Sequence, residues 1–334
     1  ARTRHQEPEN RIHHAMDTII NVALPVFAVI FVGVIAGRLK LLGSASSEAL
    51  NKYVYWIALP ALLFLSIGRL PVADLVNGPF IGAFLGSAAI VWLMGSVIGR
   101  LVGERSGATL VMQGMNASFA NVGYMGIPLF VAAFGADNIA PALLATVMMS
   151  VVSVPAAVVG LELVGGKGRG VMGAARDVGI ALAKNPLLLG ALGGLAVALS
   201  GITLIEPVER LLDILAVSAS PCALVAIGLF IASRPLKAGL FEVGWVTVIK
   251  LVWHPLICWW LILAFFPLEP YWAASAIILA ALPTGTLTFV VAQQYGVYVE
   301  RTSGIILIST IVSVISLSIV MAVYGPLFPT FALQ

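Results

Sequence analysis

The chain has 334 residues, 60% of them hydrophobic and only 10% charged, with a mean hydropathy of +1.05 and a formal net charge of +3. That balance lies far outside the range of soluble globular domains and leaves an integral membrane protein as the class to be explained. No nucleic-acid partner and no cofactor are expected.

A helix needs about 20 apolar residues to cross roughly 30 Å of hydrocarbon. In chain order, residues 1–15 (ARTRHQEPENRIHHA) have no apolar period and are set aside as a disordered or non-native tail, because MDTIINVALPVF from Met16 looks like a natural start. Ten runs then have spanning length: 18–37, 49–68, 76–99, 108–134, 139–164, 186–203, 211–232, 241–266, 271–295 and 302–325. They are apolar on every side, whereas barrel strands would be short and alternating, so the architecture is predicted to be helical.

Lysine and arginine are retained on the cytoplasmic side of short loops. With the amino terminus outside, the inward loops carry Arg38, Lys40, Lys52, Arg100, Arg105, Lys167, Arg169, Arg176, Lys184, Arg234, Lys237 and Arg301, and the outward loops only Arg69 and Arg210. Both termini are therefore expected on the outer side of a plasma membrane, the inner membrane in a bacterium. Cys222 and Cys258 lie in apolar runs without paired spacing and read as buried small hydrophobes. Outside the tail, His254 is the one histidine, so neither a metal cluster nor a nucleophile with its base is predicted.

The prolines expose an internal repeat. Pro25 and Pro60 are 35 apart, as are Pro186 and Pro221, and ALPA at Pro60 resembles ASPC at Pro221. SVVSV at 150–154 corresponds to SVISL at 313–317 at a displacement of 163, against 161 for the prolines. The expected division is a first five-helix repeat at 16–165, a glycine-rich basic cytoplasmic linker at 166–184, and a second repeat at 185–334. An odd span count inverts the second copy, which is a transporter architecture with substrate held between the copies.

At the offset of 163, FANVGYMGIP (119–128) overlays LPTGTLTFVV (282–291), so spans four and nine are both expected to break near their middles. Freed backbone groups at membrane depth must line a polar cavity or be buried in protein. The amino-terminal ends of half-helices attract anions. Asn121, Thr284, Thr286, Thr288 and Gln293 add neutral hydrogen-bonding groups, while Gly123, Gly126 and Gly285 supply backbone freedom. The two breaks are expected to face each other and form a substrate site.

At these residues the chain resembles the auxin efflux carrier family, which includes the plant PIN exporters and bacterial carriers of small carboxylates. The likeness covers roughly 16–325 and rests on NKYVYWIALPALLFLSIG, NVGYMGIPLFVAAFG, KNPLLLG and ALPTGTLTFVVAQQYG. It implies a ten-helix all-α fold of two inverted five-helix repeats with crossing broken helices four and nine, related to bile-acid-symporter and sodium/proton-antiporter folds and often a homodimer. It also implies that Asn121 meets the substrate carboxylate and that Leu59 lines the pocket. The chain departs from the plant pattern at Leu187, where those proteins have a second asparagine, at Ala120, where they have proline, and near Gln293, where they have lysine. Indole-3-acetate is thus not implied, and a small mono- or dicarboxylate is.

Each residue has a plainer reading. Asn185 before Pro186 looks first like a helix cap, with a pocket role second. Lys250 and His254, four apart in span eight, could relay protons, but snorkelling of Lys250 to the surface and a carbonyl bond from His254 are preferred. Arg210 and Asp213 read as a solvated pair. The glycine pairs Gly33/Gly37, Gly82/Gly86 and Gly95/Gly99 speak to helix packing. No nucleotide-binding loop is present. The reading is a secondary carrier exporting a small carboxylate by alternating access; its coupling is left open, since anion export can run down the membrane potential and needs no proton site. Its rivals are a sodium- or proton-coupled symporter and a sensor that binds without transport.

Overall fold

The computed structural model describes residues 24–69, 77–135, 138–165, 176, 179–180, 182–233 and 239–324. The tail, Met16, most of the linker and the Lys167, Arg169, Arg234 and Lys237 positions lie outside them. The described residues are helical, without strands: α1 Leu24–Arg38, α2 Ser44–Arg69, α3 Gly78–Leu101, α4 Gly107–Ser118, α5 Val122–Phe134, α6 Ala140–Val164, α7 Pro186–Ser200, α8 Glu206–Ser233, α9 Leu240–Ala264, α10 Pro270–Ala280, α11 Leu287–Tyr295 and α12 Val299–Tyr324. Six of these (α2, α3, α6, α8, α9 and α12) are long and apolar enough to cross a membrane.

Proline shapes several of the helices. Leu59, Ile127, Val154 and His254 each donate their N–H to the carbonyl five residues back, on Val54, Val122, Met149 and Ile249. Each immediately precedes a proline: Pro60, Pro128, Pro155 and Pro255. A proline ring crowds the carbonyl four residues earlier and has no N–H to offer it. One widened turn relieves that crowding and re-aims the helix beyond it. Pro221 is accommodated inside α8.

Two groups of helices result. In one, α1 packs on α8, and α2 on α7 and α8; in the other, α3, α4, α6, α9, α10 and α12 pack together. The first group depends on missing side chains. A Cβ on Gly33 would lie 2.5 Å from the Val225 carbonyl oxygen, and one on Gly228 would overlap the Ile30 carbonyl. Without side chains, the two backbones can touch along this seam. Gly228→Val is therefore expected to lower stability by about 1–3 kcal/mol through overpacking against backbone that cannot rotate away. Thermal unfolding in detergent measures this.

Polar contacts tie the second group. Gln113 of α4 donates to Glu242 of α9, Tyr298 donates to the same carboxylate at 2.6 Å, and Arg301 of α12 pairs with it at 3.0 Å. Burial and then the neighbouring carboxylate push the Tyr298 hydroxyl above its ordinary value, which keeps it a donor. Asn116 of α4 donates to Thr302 Oγ1 of α12 at 3.1 Å. The chain between α4 and α5, and that between α10 and α11, is thereby held deep inside this group.

Candidate functional site

The α4 helix stops at Ser118 and α5 begins at Val122; α10 stops at Ala280 and α11 begins at Leu287. The two non-helical stretches cross. Ala120 and Thr284 form an isolated antiparallel bridge, with the Asn121 N–H donating to Pro283 O at 2.9 Å and the Gly285 N–H to Phe119 O at 2.9 Å. Thr284 Oγ1 donates to Asn116 O at 2.9 Å, and the Thr284 N–H to Ser309 Oγ at 3.1 Å. Each break thus satisfies part of the other's backbone, which is how irregular chain survives at this depth. Pro283 has no N–H and favours extended chain before it, and Gly285 lets the crossing close, since a Cβ there would lie 2.7 Å from the Phe119 ring.

The crossing aims two helix beginnings at one place. A cavity of about 20 Å³ is lined by Asn121, Val122, Gly123 and Tyr124 at the start of α5 and by Thr286 and Leu287 at the start of α11. The first amides of a helix have no partner within it, and both macrodipoles place partial positive charge there. Phe119, Ala120, Thr146, Met149 and Ser150 complete one wall, and Leu59 of α2 and Leu187 of α7 complete the other. The cavity therefore lies between the two helix groups. It has room for about one water and for no carboxylate unless those groups separate.

Asn121 is 3% exposed, and its side-chain Nδ2 has no hydrogen-bond partner. A buried donor left unmade costs about 1–3 kcal/mol, and Asn121 lines the cavity, so an acceptor entering there would relieve that cost. The arrangement offers one side-chain donor, two converging helix ends and apolar walls: a recognition site for a small anion with a short hydrocarbon body. Beside it stand only neutral groups, with no nucleophile–base pair.

Of the residues singled out from sequence, Asn121, Gly123, Leu59 and Thr286 line this cavity. Thr284 and Gly285 build the crossing behind it. Asn185 is not brought to it: its Oδ1 accepts from Leu187 N at 3.0 Å and Leu188 N at 3.3 Å, so the capping reading is the one the geometry realises. Gln293 is exposed at the last turn of α11, two turns beyond Thr286, where the helix has carried it out of the crossing. Asn185→Ala is accordingly expected to lower stability by about 0.5–2 kcal/mol, the worth of a lost cap, with carboxylate affinity unchanged. Paired thermal unfolding and calorimetric titration check both halves of that expectation.

Sequence reasoning missed Thr146, Met149 and Ser150 as wall residues; the SVVSV repeat match pointed at Ser150 without giving it a role. Two pairings also differ from expectation. Asp213 accepts both Arg69 guanidinium nitrogens, at 3.0 and 3.1 Å, with Glu209 at 2.6 Å, while Arg210 goes to Glu206 at 2.6 Å. The reason is geometric: Arg69 reaches across from the end of α2 with a planar fork that fits a carboxylate edge-on. Lys250 does not snorkel and His254 does not take a carbonyl. Both are fully buried, and Lys250 Nζ bonds Ala280 O at 2.7 Å and His254 Nδ1 at 3.0 Å. A roomier cavity of about 210 Å³ lies beside Arg69, but its one cation is already held by two carboxylates.

Residues 18–321 match the model of a family described as membrane transport protein. The chain belongs to that family. Over 299 residues it is 34% identical to a protein of Rhizobium meliloti (strain 1021) whose name proposes malonate transport for it, covering 90% of this chain and 93% of that one. It is also 26% identical over 309 residues to an uncharacterized transporter of Methanothermobacter thermautotrophicus, with 88% and 94% of the two chains covered. An uncharacterized transporter of Methanocaldococcus jannaschii is 21% identical over 328 residues, with 92% and 97% covered. The matched family is the auxin efflux carrier family that the sequence motifs resemble, and the protein is a membrane transporter and not an enzyme.

Proposed function

We propose that this transporter carries a small carboxylate of malonate size, held between Asn121 and the starts of α5 and α11, and moves it by alternating access. The observation that carries the reading is the convergence of two helix amino termini on one cavity that also contains an unpartnered amide. A carboxylate supplies the acceptor that Asn121 Nδ2 lacks and meets the positive ends of the α5 and α11 dipoles, and Leu59, Leu187 and Met149 suit a short methylene body. The relative named for malonate supports the size and charge of the substrate.

The cavity's position supports the mechanism. Its walls come from two helix groups, so sliding one against the other would enlarge it first toward one side of the membrane and then toward the other. The pairing of helices supports an inverted two-fold relation of halves 16–165 and 185–334: α1 lies on α8 and α2 on α7, partners that exchange when the first half is laid on the second. In this reading the broken spans are α4–α5 and α10–α11, ten spans cross in all, and both termini face outward from a plasma membrane. A homodimer through the α1, α2, α7, α8 group belongs to the same reading. Export is its direction, since an anion leaving the cell gains about 2.3 kcal/mol per charge per 100 mV.

Proteoliposomes loaded with radiolabelled malonate test this. The expected result is release that unlabelled external malonate accelerates and that Asn121→Ala slows severely. Binding without flux would make the protein a sensor and overturn the carrier reading.

A further inference from the structure

The proposed carboxylate site leaves unused a pair of buried nitrogens at the end of α10, the helix that leads into the crossing. The α10 helix ends at Ala280, three residues before Pro283, whose carbonyl takes the Asn121 amide at 2.9 Å. The last carbonyls of α10 are divided among few donors: Ala281 N–H serves Ile277 and Ile278, and Leu282 N–H serves Leu279. Ala280 O receives Lys250 Nζ of α9 at 2.7 Å. An ammonium at a helix carboxyl end is the complement of the negative macrodipole there. Lys250 Nζ also lies 3.0 Å from His254 Nδ1, and His254 Nε2 is buried with no partner.

The surroundings hold no counter-ion among the described residues. On the same helix, Cys258 is a buried free thiol beside Ser87 of α3, and Glu242 is committed to Gln113, Tyr298 and Arg301. From α3, Phe84 stacks on the His254 ring with centroids 6.3 Å apart, and Arg100 turns to Glu104 O. The α4 and α10 helices carry no charged residue, α12 carries Glu300 and Arg301 at its first turns, and Tyr324 at its far end approaches Cys258. A positive charge here is therefore compensated by a carbonyl and an imidazole alone. Taking an ammonium out of water is costly unless an anion joins it.

We propose that Lys250 and His254 form a proton-binding site linked to the carboxylate site, so that binding of the anion draws one proton from water onto the pair. This rests on the carboxylate reading of the Asn121 cavity. The linkage is electrostatic: the anion binds at the crossing, the pair holds the end of α10 three residues before it, and the low dielectric of the buried interior strengthens their attraction. Linkage is reciprocal, so the protonated pair also raises anion affinity by the factor by which the anion raises proton affinity. A carrier so built moves its carboxylate together with a proton, so one negative charge fewer crosses per anion, the share of the membrane potential falls accordingly, and the rate becomes dependent on the pH gradient. The absence of carboxylates from the span interiors does not argue against coupling, because a lysine–histidine pair serves in their place.

Calorimetric titration of malonate into the detergent-solubilised protein, in two buffers of different ionisation enthalpy near neutral pH, reads the protons taken up on binding. The wild type is expected to take up about one proton per malonate. Lys250→Met is expected to bind more weakly and to show no buffer dependence. His254→Gln keeps the lysine and is expected to shift the pH at which uptake is half-maximal. Malonate binding to the wild type without proton uptake overturns the proposal and leaves the carboxylate site standing; no malonate binding at all overturns both. Uptake preserved in Lys250→Met means that the proton does not need the pair and also overturns the proposal, as does an unshifted uptake profile in His254→Gln should the lysine variant not fold.

Discussion

Asn121→Ala is expected to weaken malonate binding roughly 10- to 100-fold, because a hydrogen bond from a buried donor to a charged acceptor is worth about 1.5–3 kcal/mol. The side chain is 3% exposed and its Nδ2 meets no acceptor within the protein, so its removal breaks no internal bond through that atom. Folding stability should therefore stay level or rise, while affinity falls. Affinity by calorimetry and unfolding temperature without ligand, measured on the same preparation, separate the two. A variant that binds as tightly as the wild type removes Asn121 from the site, and one that loses stability and affinity together makes the residue structural.

Gly285→Val is expected to abolish measurable binding. The new Cβ would stand 2.7 Å from the Phe119 ring and 3.2 Å from the Ala120 carbonyl oxygen, where Gly285 N–H now reaches Phe119 O at 2.9 Å. Either the ring is driven into the cavity it lines, or the two breaks part and the starts of α5 and α11 no longer converge. Both displacements exceed the small error in geometry that a preorganised site tolerates. Overpacking of this kind costs about 1–3 kcal/mol, which the long helices around the crossing should withstand. The expected signature is wild-type helical content by circular dichroism with no malonate-induced rise in unfolding temperature, a rise that any ligand of the folded state produces.

The part of this site legible in the sequence was the part written in helix-breaking residues. Pro283, Gly285 and the glycines around Asn121 announce interruptions that no apolar span would otherwise carry, and their shared offset placed the two interruptions opposite each other. Side chains whose role depends on helix rotation were not legible. Thr146 and Ser150 sit in an apolar run where a hydroxyl that turns back on its own helix looks the same as one that faces a cavity; Thr146 does both, donating to Ala142 O at 2.7 Å. Gln293 has the right chemistry, but two turns of α11 carry it to the surface. The fate of Lys250 turns on its depth along α9 and on a carbonyl supplied by α10, thirty residues away in the chain. Asp213 likewise found its arginine on another helix, because Arg69 could offer a fork that Arg210, one turn along the same helix, could not aim.

The widened turns follow the same logic. A proline preceded by helix-favouring apolar residues signals a bend, and four such prolines follow a wide turn here. What the chain alone withholds is the direction of each bend, which packing decides. Two of the bends bear on the site: the one before Pro60 presents Leu59 to the cavity, and the one before Pro128 sets the first turn of α5 against it.

The most direct test is an electron cryo-microscopy map of the protein with bromomalonate bound. One carboxylate is expected against Asn121 Nδ2 and the start of α5, with the start of α11 close by and a cavity wider than the about 20 Å³ of the closed form. Ligand density lodged at Arg69 instead, or an Asn121 still unpartnered beside an empty crossing, would contradict that expectation.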